Sequence, residues 1–98
     1  MTFDQGFIRR RIQGSIETIS SLQQRADVIE AIGRRIVDAF GATPRARLYT
    51  CGNGGSAAEA LHLAEELIGK YKATRPPYPA VCLNADPTAL TCIANDYG

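Results

Sequence analysis

The stretch Cys51-Gly52-Asn53-Gly54-Gly55-Ser56 decides the fold, because a short apolar segment precedes it and a helical pattern follows it. Residues 46–51 are predicted to form a short buried strand, and the residues from Ala57 to about Tyr71 a helix. A strand, a glycine-rich turn and a helix together make the usual small-molecule site of α/β proteins. The sequence therefore predicts an α/β fold with a ligand site at this turn.

The glycines of the turn suit a ligand that approaches the backbone. Gly52, Gly54 and Gly55 allow positive φ and leave space beside the chain. The helix that follows offers free N–H groups and a partial positive charge, which suit an anion or sugar oxygens. The turn lacks the third glycine of the dinucleotide fingerprint and the lysine of a P-loop. A ligand site and a mere tight turn both remain open at this point.

Ser56 and Glu59 have the spacing of a capping box, so a structural role at the helix start is expected for them. His62 and Glu66, four residues apart, share one face of the same helix. Imidazole nitrogen and carboxylate oxygen are good zinc ligands, although a surface pair worth a few tenths of a kcal/mol has the same spacing. Glu65 is rotated by about 100° from its neighbour, so Glu66 is the carboxylate expected to face the glycine turn with His62.

A zinc site in an enzyme has about three protein ligands, and His62 is the only histidine of the chain. The spacing therefore identifies two possible zinc ligands, His62 and Glu66, and these two do not complete a metal site.

Two amphipathic helices are predicted ahead of the first strand, over residues 4–23 and 27–40. Asp27 is the expected N-cap of the second helix, and Gly41 its C-terminal glycine. Each helix carries one apolar stripe, formed by Ile8, Ile12, Ile16 and Ile19 in the first and by Ile29, Ile32, Ile36 and Phe40 in the second. Because a minimal α/β unit needs no such helices, we expect one of them to pack against a partner subunit.

After the glycine turn, the predicted helix has a core stripe of Leu61, Ala64 and Ile68. A second apolar strand is predicted over residues 79–83. Asp86 is then the expected N-cap of a short final helix that ends at residues 95–98, with proline at its first position. The resulting order is ααβαβα with two parallel strands. Two-stranded units are marginally stable alone, so we expect this chain to be part of a larger sheet.

Composition narrows the class of protein. The chain has 98 residues, with 45% hydrophobic and 21% charged residues, as in one small globular domain. A net charge of +1 creates no long-range field for nucleic acid or a membrane surface, so neither is an expected partner. No apolar run has the length of a signal core or a membrane span. Three widely spaced cysteines favour free thiols in a reducing cytosol, which predicts a cytoplasmic protein.

Three stretches resemble a known family. Residues 51–71, CGNGGSAAEALHLAEELIGKY, are similar to the motif of phosphoheptose isomerases, which have the sugar isomerase (SIS) fold. The loop RPPYPA (75–80) and the run LTCIANDYG (90–98) match the same family in order and spacing. The resemblance implies a SIS-type three-layer αβα sandwich with a parallel, Rossmann-like sheet. Residues 1–98 would form the N-terminal portion of a single SIS domain, with leading helices in 1–43 and a βαβα unit with the glycine turn in 44–98.

The same resemblance implies a cytoplasmic, zinc-dependent aldose–ketose isomerase that forms homotetramers through the leading helices. It would interconvert sedoheptulose 7-phosphate and D-glycero-D-manno-heptose 7-phosphate, an early step toward the heptose of lipopolysaccharide. His62 and Glu66 would be metal ligands, and Glu66 also the catalytic base. The substrate contacts that the resemblance implies are Asn53, Gly54, Gly55, Glu66, Asn95 and Asp96.

This chain departs from the family in what it lacks. Longer family members continue into a Ser/Thr-rich phosphate loop and then supply a glutamine and a second histidine as further metal ligands. The resemblance therefore implies that these 98 residues are inactive unless complemented. Two alternatives stay open: a SIS isomerase for another sugar phosphate, and a non-catalytic SIS regulator that binds the replication initiator DnaA. Such regulators lack the pair Glu65-Glu66, so its presence here favours the enzyme.

Overall fold

A computed structural model describes residues 4–98, so the first three residues of the predicted leading segment 1–43 lie outside the described part. Its elements are α1 (Phe7–Ser21), a 3-10 turn (Leu22–Arg25), α2 (Ala26–Gly41), β1 (Leu48–Thr50), α3 (Gly55–Ile68), β2 (Ala80–Cys82) and α4 (Pro87–Tyr97). The predicted order ααβαβα is confirmed, with both strands shorter than expected. None of the helices in this range combines the length and apolarity that a membrane span requires.

The chain divides into two compact units, Met1–Arg35 and Ile36–Gly98. The first unit contains α1 and most of α2. At the start of α1, Asp4 accepts a hydrogen bond from the Gly6 N–H at 2.8 Å, and its carboxylate pairs with Arg10. The predicted apolar stripe of this helix is half-exposed or more, with Ile8, Ile12, Ile16 and Ile19 at 53%, 56%, 52% and 67%. Nothing among the described residues covers this face.

The expectation for Asp27 is wrong, because the chain does not leave the helical conformation between α1 and α2. The 3-10 turn leads directly into α2, and Ala26 has φ −57° and ψ −39°. Asp27 consequently lies in the first turn of α2 and not at a free N-terminus. The predicted burial of the α2 stripe holds only at its end: Ile29 and Ile32 are half-exposed, whereas Phe40 is buried, and the helix ends at Gly41 as predicted.

The second unit contains the sheet. The strands β1 and β2 pair in parallel, with Leu48 opposite Ala80 and Thr50 opposite Cys82. This arrangement confirms the α/β class with a parallel sheet. Helix α3 connects the strands and packs on both of them. The core is small and consists of Ala60, Ala64, Ala80 and Cys82, with Leu48 and Leu67 packed against it.

The predicted core stripe of α3 is wrong at two of its three positions. Leu61 and Ile68 are 48% and 51% exposed, whereas Ala60 and Ala64 face the strands. Alanines allow the helix to approach the sheet closely, and a sheet of two strands covers only a narrow strip of it. The buried hydroxyl of Thr50 donates to the Ala60 carbonyl at 2.7 Å, which joins β1 directly to the α3 backbone.

An aromatic stack closes the end of α3. The rings of Phe40 and Tyr78 are parallel within 8° with centroids 4.8 Å apart, and the guanidinium of Arg75 lies 4.6 Å from the centre of the Tyr78 ring. Arg75 donates to the carbonyl oxygens of Glu66 at 2.6 Å and Leu67 at 2.8 Å. Arg75 thereby satisfies the Glu66 carbonyl, shares the Leu67 carbonyl with the N–H of Tyr78, and ties the last turn of α3 to the loop before β2.

Helix α4 begins as predicted, because the Asp86 carboxylate accepts from the N–H groups of Thr88 at 2.9 Å and Ala89 at 3.1 Å, with Pro87 at the first helical position. Its end lies within the predicted range 95–98. The helix runs to Tyr97, so residues 95 and 96 belong to its last turn. The helical conformation continues through Tyr97, and the first residue with positive φ after the start of α4 is Gly98, where φ is +88°.

Candidate functional site

The glycine turn lies at the carboxyl ends of β1 and β2, which meet at one edge of the sheet because the strands are parallel. A crevice of about 250 Å³ opens there. Its lining residues are Cys51, Gly52, Asn53, Leu83, Asn84 and Leu90. The loop after each strand and the first half of α4 therefore enclose this space, which is where ligands bind in open α/β sheets.

Two of the turn glycines are required by the fold. A Cβ at Gly52 would lie 2.4 Å from the carbonyl oxygen of Ser56, well inside the contact distance. Gly54 has φ +55° and ψ −123°, a conformation that other residues rarely adopt. Gly55 differs, because a Cβ there would meet nothing within 4 Å. The absence of a side chain at Gly55 leaves open space beside the start of α3.

The predicted capping box at Ser56 and Glu59 is wrong. Helix α3 begins at Gly55, its N-cap is Gly54, and no side chain caps it. Backbone carbonyls of the turn accept from the first N–H groups of the helix instead: Ser56 N donates to Asn53 O and Ala57 N to Gly54 O, both at 3.1 Å. The positive φ of Gly54 starts the helix ahead of Ser56, so Ser56 lies inside the first turn and its hydroxyl caps no N–H group of the helix.

Three backbone donors remain at the turn. Within residues 4–98, no group accepts a hydrogen bond from the N–H of Asn53, Gly54 or Gly55. They lie at the N-terminus of α3, where the helix dipole favours negative charge. Free N–H groups in this position can bind phosphate, carboxylate or sugar oxygens. The geometry of the turn thus supports the ligand-site interpretation over the tight-turn interpretation.

Sequence reasoning missed Asn84, which lies two residues after the end of β2. Its side-chain oxygen accepts from Gly52 N at 3.0 Å, and its nitrogen donates to the Ala57 carbonyl at 3.2 Å. The side chain is half-buried and lines the crevice. One signal could have found it: a polar residue just after the second parallel strand lies at the same sheet edge as the loop that ends the first.

His62 and Glu66 lie together on α3, as their spacing predicts. The His62 Nε2 and Glu66 Oε1 atoms are 3.0 Å apart, and the side chains are 69% and 40% exposed. Neither lines the crevice. The eight residues from Gly54 to His62 rise about 12 Å along the helix, so within one chain the pair lies two turns or more from the glycine turn. Their assignment to one site with the turn stays a prediction.

Glu65 lies elsewhere on α3. It lines an apolar groove along β2 with Leu61 and Ile68. The structure therefore separates the two adjacent carboxylates, as the rotation between neighbouring helical residues predicts.

The donor set at His62 and Glu66 fits part of a zinc site. An imidazole nitrogen and a carboxylate oxygen already converge within 3.0 Å and are accessible. No group of three or more His, Cys, Asp or Glu side chains with the geometry of a metal site occurs in residues 4–98. The described residues thus provide two donors, and a zinc ion at this pair would need further ligands from elsewhere.

Asn95 and Asp96 lie in the last turn of α4 and are exposed. The Asn95 amide donates to Asp96 Oδ1 at 3.0 Å, and the Cys92 thiol donates to Asp96 Oδ2 at 3.4 Å. Neither residue lines the crevice, to which α4 contributes Leu90. Their role as substrate contacts stays a prediction.

Comparison with known proteins gives consistent relatives. A protein of Sodalis glossinidius named phosphoheptose isomerase is 37% identical over 97 residues, which cover 96% of this chain and 48% of its own length. The phosphoheptose isomerase of Akkermansia muciniphila is 41% identical over 92 residues, covering 94% and 48%. That of Klebsiella pneumoniae is 40% identical over 97 residues, covering 96% and 49%. The chain spans about half the length of the curated relatives it matches.

The profile of the SIS domain matches residues 11–98, which include both strands, the glycine turn and the His62–Glu66 pair. The resemblance inferred from the motifs is therefore confirmed by a domain profile and by similarity over most of the chain. With nearly all of its length matched in this way, the chain belongs to the SIS domain family.

Proposed function

We propose that the protein acts in an aldose–ketose isomerase that interconverts sedoheptulose 7-phosphate and D-glycero-D-manno-heptose 7-phosphate. The observation that carries the proposal is the identity of 37% to 41% to relatives named phosphoheptose isomerase, over 94% or more of this chain. The free N–H groups of the glycine turn support it, because they suit the oxygens of a sugar phosphate. The reaction would be an early step toward the heptose of lipopolysaccharide.

Glu66 is the proposed base. Isomerisation removes a proton from the carbon next to the carbonyl and returns it to the former carbonyl carbon through an enediol, and a positioned carboxylate can carry that proton. In the chain without zinc, His62 Nε2 lies 3.0 Å from Glu66 Oε1 and fixes the direction of the carboxylate. The N–H groups of Asn53, Gly54 and Gly55 would hold substrate oxygens. The remaining proposed substrate contacts are Asn95 and Asp96.

His62 and Glu66 are also the proposed zinc ligands within this chain. Bound zinc would supply a Lewis acid that polarises the substrate carbonyl. Because the described residues provide only two donors, we propose that these 98 residues do not turn over substrate alone and need the remaining ligands from additional polypeptide. Equilibrium dialysis should find weak zinc binding to the chain, and His62→Ala should abolish this binding.

A homo-oligomer, with a tetramer as the expected state, is part of the proposal. Its support is the isoleucine stripe of α1, which is 52% to 67% exposed and would be covered by another subunit. The proposed location is the cytoplasm, and the net charge of +1 supports neither nucleic acid nor a membrane as a partner. Light scattering coupled to gel filtration tests this part; a monomer at micromolar concentration contradicts it.

Exchange of substrate hydrogen with solvent tests the catalytic proposal. The protein would be supplied with the half of the Klebsiella relative that this chain does not match, and sedoheptulose 7-phosphate would be incubated in D₂O. Deuterium should enter the carbon next to the carbonyl, and Glu66→Gln should abolish this incorporation. Glu65→Gln is the matched control, because this neighbouring carboxylate lines a different groove and should leave the rate unchanged.

Three outcomes decide between the candidates. Full incorporation by the Glu66→Gln variant excludes Glu66 as the base. Exchange with another sugar phosphate but not with sedoheptulose 7-phosphate favours the isomerase of different specificity. Robust turnover by the 98-residue chain alone contradicts the proposed need for complementation.

A further inference from the structure

We infer that Asn84 is a positioning residue for the glycine-turn site: its side-chain amide holds the turn in the shape that presents the free N–H groups to ligand oxygens. The inference rests on the proposed function in so far as the ligand is a sugar phosphate. Asn84 does not itself reach the reacting atoms; it acts through the backbone of the turn.

The contacts of Asn84 enclose the turn on both sides. Its oxygen accepts from the N–H of Gly52, which precedes the free donors, and its nitrogen donates to the carbonyl of Ala57, which follows them. The two bonds connect residues 32 and 27 positions apart in the sequence. One amide thereby sets the distance between the end of β1 and the first turn of α3. The three free donors lie on the segment between these two anchor points.

An amide is the side chain that fits this place. The Gly52 N–H requires an acceptor and the Ala57 carbonyl can accept a second hydrogen bond beside its bond within α3, and an asparagine carries both an acceptor and a donor on one planar group. A carboxylate in the same position would keep the first bond but place a negative oxygen against the Ala57 carbonyl. An aliphatic side chain would leave the Gly52 N–H without a partner in a half-buried place, and the Ala57 carbonyl would keep only its bond within α3.

The turn also needs an external support. Gly52 and Gly54 give it two positions of high backbone freedom, and no side chain caps α3. The backbone bonds within the turn, from Ser56 and Ala57 to Asn53 and Gly54, fix only its inner part. Asn84 is the group in the described chain that ties this turn to the other strand. Without it, no side chain would hold the segment that carries the free N–H groups against the end of β2.

The test uses ¹⁵N-labelled protein and two measurements. Amide hydrogen exchange at Gly52 reports the Asn84 bond without any ligand. Titration with sedoheptulose 7-phosphate, in the presence of the half of the Klebsiella relative that this chain does not match, is followed at the amides of Gly54 and Gly55 and reports the site. In Asn84→Ala, we expect exchange at Gly52 to accelerate and binding to weaken, each by about tenfold. Asn84→Asp should preserve slow exchange at Gly52 but weaken binding, and it serves as the test if the alanine variant does not fold.

Tyr78→Leu is the control for a merely structural role. It removes the aromatic stack next to the N-terminal end of β2, at the opposite edge of the sheet from the glycine turn. This variant should lose stability yet bind with wild-type affinity. Equal loss of binding in Tyr78→Leu and Asn84→Ala would overturn the positioning role, as would wild-type binding by both Asn84 variants. If the wild-type Gly54 and Gly55 amides do not respond to the sugar phosphate, the proposed function fails, and the inference with it.

Discussion

Alanine at Gly52 should destabilise the protein strongly, whereas alanine at Gly55, three residues further along the same turn, should not. A Cβ at Gly52 would lie 2.4 Å from the carbonyl oxygen and 2.5 Å from the carbonyl carbon of Ser56. Both atoms belong to the backbone of the first turn of α3, so they cannot rotate away as a flexible side chain would. At Gly55 a Cβ would meet nothing within 4 Å, and φ is not positive.

The size of the effect follows from the required movement. To reach a tolerable contact, the turn and α3 must separate by roughly 0.6 Å, and overpacking of this kind costs about 1–3 kcal/mol. The same movement strains the hydrogen bond from Gly52 N to Asn84, which is worth about 1 kcal/mol. We therefore expect Gly52→Ala to lower the free energy of unfolding by about 2–4 kcal/mol. Gly55→Ala should stay neutral or stabilise by about 0.4–1 kcal/mol, because alanine restricts the unfolded chain.

Urea-induced unfolding followed by circular dichroism measures both variants. For a domain of this size, 1 kcal/mol corresponds to about 4–8 °C in the melting temperature, so Gly52→Ala should melt at least about 8 °C below the wild type. The reasoning is refuted if Gly52→Ala lies within about 0.5 kcal/mol of the wild type, or if Gly55→Ala is destabilised as much. Gly55→Ala should nevertheless weaken sugar-phosphate binding, since its methyl group would occupy the open space at the free N–H groups.

Other side chains make separate predictions of stability. Arg75→Ala should cost about 1–3 kcal/mol in urea unfolding, because the Glu66 carbonyl and the face of Tyr78 lose their partner and the Leu67 carbonyl keeps only the Tyr78 N–H. Arg75→Lys should recover part of this loss, and an unchanged midpoint for the alanine variant would contradict the capping role. Asp86→Ala should lower the free energy of unfolding by about 1 kcal/mol and speed amide exchange at Thr88, whereas Asp86→Asn should be nearly neutral. Equal stability of the alanine and asparagine variants would argue against Asp86 as the N-cap of α4. Thr50→Val keeps nearly the same shape but removes the hydrogen bond to the Ala60 carbonyl of α3, so it should cost about 1 kcal/mol in thermal unfolding. An unchanged melting temperature would show that this bond contributes nothing to stability.

Local signals in the sequence determined which elements form and in what order. Asp86 followed by proline, and Gly41 at the end of an amphipathic run, act within one helical turn, so they were predictable without knowledge of the rest of the chain. The pairing of His62 with Glu66 is equally local, since residues four apart on a helix always share a face. The motif that identifies the family is likewise a property of contiguous sequence.

The errors arose where a choice depended on packing. Apolar periodicity assigned Leu61 and Ile68 to the core, but the narrow sheet selected Ala60 and Ala64, because small side chains permit close approach. The capping box at Ser56 failed because the positive φ of Gly54 starts the helix ahead of Ser56, where backbone carbonyls of the turn accept from its first N–H groups.

What the sequence by itself determined was the set of helices and strands, the glycine turn between them and the family to which the chain belongs. Only the tertiary structure brought Asn84 to Gly52 and Arg75 to the end of α3, and only it showed that His62 and Glu66 lie away from the crevice at the turn. The physical reason is distance along the chain. Contacts within one turn are set by local backbone geometry, whereas contacts between distant residues are set by how the helix packs on the parallel strands.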